Sequence, residues 1–159
     1  MVGGTADWQV INGPGAKALS ESWPRRLIRV ILAALYLLAG VLHVIDPHPF
    51  LTITPGWVPF PEAVILATGI AEIAGAMGLI QPVRPGLRRA AGIGLALYAV
   101  CVFPANINHF IMDMHRADQG LGLAYHVPRM VMQPMLVWLA LWTGQVIDWP
   151  FRRSSRTFS

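Results

Sequence analysis

The chain has 159 residues, of which 55% are hydrophobic and 13% charged, against about 25% charged in an ordinary soluble domain. That length suits one domain, and that composition points to an integral membrane protein. A net charge of +4 raises nucleic acid as a partner, but the basic residues sit at the ends of apolar runs and form no stripe interleaved with aromatics, which argues against it.

Residues 1–24 are polar and glycine-rich, and are expected to be mobile or to lie along an interface. They lack the charged n-region and short apolar core of a cleavable signal peptide. Beyond them, a hydrocarbon core of ~30 Å takes about 20 apolar residues in a helix. Four segments meet that length: 27–45, 61–80, 87–106 and 127–147. The expected fold is all-α, an integral membrane four-helix bundle over residues 25–149 followed by a basic tail at 150–159.

Lys17, Arg25, Arg26, Arg29, Arg84, Arg88, Arg89, Arg152, Arg153 and Arg156 fall on one side of such a bundle, leaving Arg116 and Arg129 on the other. The bias of basic residues toward the cytoplasm predicts cytoplasmic N- and C-termini and a multi-pass protein of the cell (inner) membrane. Between the first two spans, "DPHPFLTITPGWVPFP" (46–61) is rich in proline and too apolar for a free loop. It is expected to pack as a rigid cap over the outer mouth, because proline fixes φ and removes a donor.

Glu72 is the acidic residue inside a span, about 16 Å below Pro61 at 1.5 Å per residue. A charge at that depth costs roughly 2.5–3.5 kcal/mol or more, so it should face the bundle interior. Thr68, Gly69, Gly75 and Ala76 share its face and let a neighbouring helix approach. Depth alone suggests Tyr36, Tyr98 and Trp138 as partners. Nearer the outer surface, His43, Asn106, Arg129 and Gln133 form a second polar layer. The residues leave two roles open: a carboxyl held by tyrosines as packing, or a ligand-binding or proton-carrying group in a pocket open to the outside.

Cys101 is the single cysteine, which excludes an intramolecular disulfide and a CxxC pair. In the third span, Pro104 frees the Val100 carbonyl and is expected to kink the helix close to its end at Asn106. All five histidines fall on the outer side. His109 and Asp113 are four apart, on one face if that stretch is helical, which makes them candidate metal ligands, yet HxxxD alone is too short a pattern to define a metal centre. "HFIMDMHRADQGLGLAYH" (109–126) is expected to be a solvated outer loop, with no metal.

Five stretches in this order and spacing, "LAGVLHVIDP", "FLTITPGWVPFPE", "TGIAEIAGAMGLI", "RPGLRRAAG" and "VFPANI", resemble the DoxX family of small four-span membrane proteins. The resemblance covers roughly residues 27–147. It implies a four-helix membrane bundle and, by analogy with some members, a membrane subunit of a quinone-linked or oxidative-stress-related oxidoreductase system. A quinone ligand and a redox partner subunit would follow from it. Glu72 then matches the glutamate of "GIAEI", Asn106 the asparagine of "FPANI", and His43 the polar end of the first helix. No catalytic residue is implied. The alternatives are a non-catalytic membrane anchor or assembly factor and a small proton-coupled transporter.

Overall fold

The computed structural model describes residues 22–149; residues 1–21 and 150–159, with the expectations of an interfacial segment and a basic tail, lie outside the described residues. The described residues form helices joined by turns, with no strand among them: α1 (Trp23–Ile45), α2 (His48–Ile53), α3 (Pro61–Ile80), α4 (Pro85–Met114) and α5 (Gly122–Thr143). The four long helices run up, down, up and down. The end holding Trp23, Ile80, Pro85 and Thr143 is called basal here, and the end holding α2 and the α4–α5 turn apical.

Pro24, Pro61 and Pro85 each stand in the first turn of a long helix, where the missing N–H has no intrahelical partner to lose. On α1 the buried positions Arg29, Leu32, Ala33, Tyr36, Gly40 and His43 repeat at helical spacing and mark one inward stripe. That stripe meets α3 at a seam of two glycines. A Cβ on Gly40 would lie 2.7 Å from the Gly69 carbonyl, and one on Gly69 would lie 2.8 Å from His43 Cβ. Only glycine permits that approach. The other long helices close the bundle around Leu32, Ala33, Ala76, Leu79, Leu95, Ala96 and Ala140.

Three helices, α1, α3 and α4, are long and apolar enough to cross a membrane. Their outward faces carry Val30, Leu35, Leu38, Leu66, Ile70, Leu97 and Val100, all exposed. The fourth expected span, 127–147, is occupied by α5, which runs instead from Gly122 to Thr143. It is long enough but less apolar, because His126, Arg129, Gln133 and two prolines interrupt it.

Two expectations are corrected. The first helix begins at Trp23 rather than Leu27, and the third does not end at Asn106. α4 continues through Pro104 to Met114, so most of the expected solvated loop is helix and the connecting turn shrinks to 115–121. A proline is tolerated inside an apolar helix when neighbouring groups re-satisfy the backbone. Pro104 has no N–H to donate to the Val100 carbonyl, and the Ala99 carbonyl one residue earlier accepts from the Gln133 side-chain amide.

Candidate functional site

A cavity of about 370 Å³ occupies the apical half of the bundle, within the usual range for small-molecule sites. Its wall is mostly apolar, with Phe50, Ile53, Ile65, Val102 and Leu136 among its residues. Tyr36, His43, Glu72, Tyr98, Asn106, Arg129 and Gln133 also line it. Seven of the eight residues singled out from the sequence therefore meet around one space. The exception is Trp138. Its ring stacks on Trp142 at 5.5 Å and its Nε1 donates to the Trp149 carbonyl at 3.2 Å, which places it at the basal end, away from Glu72.

Helical spacing explains the convergence. On α5, Arg129, Met132, Gln133 and Leu136 follow the i, i+3, i+4, i+7 stripe; on α4, Tyr98, Cys101, Val102 and Ala105 do the same, with Asn106 at i+8. The roof is α2. Phe50 stacks on His43 at 3.7 Å, and Asn108 Nδ2 donates to the Ile53 carbonyl at 3.0 Å. The proline-rich segment thus covers the cavity as a short helix and turn. Trp57, Val64, Cys101 and Met132 are both lining and exposed, so the cavity reaches the surface of the bundle.

Glu72, only 3% exposed, forms the floor. Its Oε2 lies 2.9 Å from His43 Nδ1, but that nitrogen makes its hydrogen bond to the Ala39 carbonyl at 2.8 Å. Oε2 is left with no hydrogen bond among the described residues, and so is the buried Tyr36 hydroxyl. Tyr98 is within hydrogen-bonding reach of Glu72 and packs edge-on to Tyr36 at 6.1 Å. Buried polar atoms are rarely left unpaired without a reason. Two of them on one cavity floor offer a donor and an acceptor to an occupant.

The upper polar layer is differently made. Asn106 Nδ2 donates to Gln133 Oε1 at 3.0 Å, and Gln133 passes the link to the Ala99 carbonyl. Both side chains are satisfied and tie α4 to α5. Arg129 donates to His109 Nδ1 at 2.8 Å and to the Tyr125 hydroxyl at 3.2 Å.

His109 and Asp113, expected in a solvated loop, lie on the last turns of α4 beside the fully buried His126. His126 escaped the sequence reading, although it continues the α5 stripe of Arg129 and Gln133 by one turn. In the apical turn itself, the Arg116 guanidinium bonds both Asp118 oxygens at 2.9 and 3.0 Å. With the Gly120 N–H, it holds the Asp118 carboxyl well below the usual carboxylate range.

A family model described as a domain of unknown function (DUF8561) matches residues 32–144. The chain belongs to that family. The matched span contains every polar group of the cavity and the histidine–aspartate group above it, so the DUF8561 domain and the site coincide. No curated protein and no solved structure matches the chain.

Proposed function

We propose that this DUF8561 protein is a four-span protein of the cell (inner) membrane, with cytoplasmic termini, that binds a lipid-soluble quinone or quinol in the apical cavity. The cavity floor carries the reading: Glu72 Oε2, buried with the His43 ring 2.9 Å away, and the Tyr36 hydroxyl, buried without a hydrogen-bond partner among the described residues, face a mostly apolar space. A quinone ring suits such a wall, with carbonyl oxygens to accept from tyrosine and, when reduced, a hydroxyl to donate to Glu72. In the wider reading, which rests on the resemblance to DoxX, the protein is the membrane subunit of a quinone-linked or oxidative-stress-related oxidoreductase system, and a redox partner subunit supplies the electrons.

The fourth span is supported by the way α5 turns its polar residues. His126 and Gln133 are buried, while Val127, Val131 and Met135 are exposed, leaving an apolar outer face. The orientation rests on the basal position of Arg25, Arg26, Arg29, Arg84, Arg88 and Arg89.

Titration of the purified protein in detergent with a short-chain ubiquinone analogue tests the reading through quenching of tryptophan fluorescence, since Trp57 lines the cavity. Saturable one-to-one binding is expected, weakened at least about tenfold (~1.4 kcal/mol) in Glu72→Gln and in Tyr36→Phe. Wild-type protein that shows no saturable quenching overturns it. A second reading, a non-catalytic anchor or assembly factor, is favoured by the closed Asn106–Gln133–Ala99 link. On that reading the same variants change stability and nothing binds.

A further inference from the structure

Above the cavity, three metal-ligating side chains converge from two helices. His109 and Asp113 stand one turn apart on α4, and His126 faces them from α5. Their ligand atoms all lie within 4.8 Å of one another. His126 Nε2 is 2.9 Å from Asp113 Oδ2, and His109 Nε2 is 3.6 Å from the same oxygen. Around an ion held at about 2.0–2.2 Å, neighbouring ligands stand roughly 3.0–3.5 Å apart, so these two separations are close to the edges of a coordination polyhedron.

The group is also held in place. His126 is fully buried and Asp113 is 6% exposed. The Leu121 N–H donates to Asp113 Oδ2 at 2.9 Å. Gly120, at φ +53°, packs so closely that a Cβ there would land on the Asp113 carboxylate. The turn is shaped around that carboxylate. A simple His126–Asp113 pair accounts for one of the histidines; His109 accepts from Arg129 through Nδ1 and still turns Nε2 toward Asp113, at a distance too long for a hydrogen bond. We propose that His109, Asp113 and His126 bind a divalent transition-metal ion of the zinc class, which two imidazoles and one carboxylate suit, with a coordination position left open.

Arg129 sets how tightly the ion is held. A guanidinium only donates, so the His109 Nδ1 that it reaches at 2.8 Å carries no hydrogen, and Nε2 carries it instead. An ion on Nε2 moves that hydrogen to Nδ1 and brings two donors face to face, so Arg129 must withdraw. His126 Nδ1 likewise has no acceptor among the described residues, whereas a ligating histidine ordinarily donates from its second nitrogen. Both features keep affinity moderate. They also tie the ion to the position of a guanidinium that lines the cavity below.

Calorimetric titration of the full chain in detergent with Zn²⁺, and with Co²⁺ followed by its visible absorption, tests the site. One equivalent should bind with Kd of about 1–100 μM. Asp113→Asn, which keeps the shape, and His109→Ala, at a half-buried position, should each weaken binding at least about tenfold. Arg129→Gln, whose side-chain oxygen accepts from Nδ1–H, should tighten it several-fold. His115→Ala should leave it unchanged. Absence of one-to-one binding in the wild type overturns the proposal. So does binding that survives both Asp113→Asn and His109→Ala, or that is lost in His115→Ala. None of the three ligands lines the quinone cavity, so a failure of the metal titration and a failure of the quinone titration are distinguishable.

Discussion

At the basal end of the bundle, Leu32, Ala33, Ala76, Leu79, Leu95, Ala96 and Ala140 fill the space between the helices. At the apical end the same helices turn His43, Glu72, Asn106 and Gln133 inward around a cavity, with Asp113 and His126 buried above it. Apolar burial drives helices together weakly when the surroundings are as apolar as leucine. The basal end is therefore held by close fit, and the apical end by the Gly40–Gly69 seam together with hydrogen bonds. An end that gives up packing for unpaired polar atoms has been shaped by something other than stability.

The largest expected effect is at the glycine seam of the apical half. Gly69→Val places a Cβ 2.9 Å from the Gly40 carbonyl and 2.8 Å from His43 Cβ. Overpacking of that kind should cost about 3 kcal/mol or prevent folding, read by denaturant unfolding in detergent. Leu79→Ala, at a fully buried basal site, should cost about 2 kcal/mol, chiefly through the void left behind. Its ligand binding should be unchanged.

Glu72→Gln reverses that pattern. Glutamine keeps the side chain's shape, so stability should change by no more than about 1 kcal/mol, while binding in the cavity falls. Asn106→Ala cuts one link between α4 and α5 and should cost about 0.6–1 kcal/mol, the usual worth of such a bond in a membrane bundle.

The smallest effect belongs to the apical turn. Because Asp118 is held below its usual range by Arg116, any contribution is present above the unfolded carboxylate pKa. It is lost as pH falls through the lower folded value. Both side chains are exposed, so melting curves of Arg116→Ala should overlay the wild type at neutral pH.

Hydropathy made the long helices legible, because length and apolarity are properties of single segments. Depth along a helix was legible too, and it brought Tyr36, Tyr98, Arg129 and Gln133 to the right level. Trp138 shows the limit of counting by depth. Five residues from Gln133, it is turned about 140° around α5 and faces a different neighbour. Pro104 misled because a proline removes one donor without having to end a helix, and α4 runs on through it to Met114. His126 could have been found by extending the α5 stripe upward by a turn. Its meeting with Asp113 could not, since it depends on the Gly120 turn folding back onto the carboxylate.

Cys101, the single cysteine, is exposed and also lines the cavity. The protein therefore carries one native attachment point for a thiol-reactive label, at the edge of the space in question. The rate at which a maleimide alkylates it, with and without a candidate occupant, reports filling of the cavity by mass spectrometry, in the unmodified sequence and without any assumption about what the occupant does.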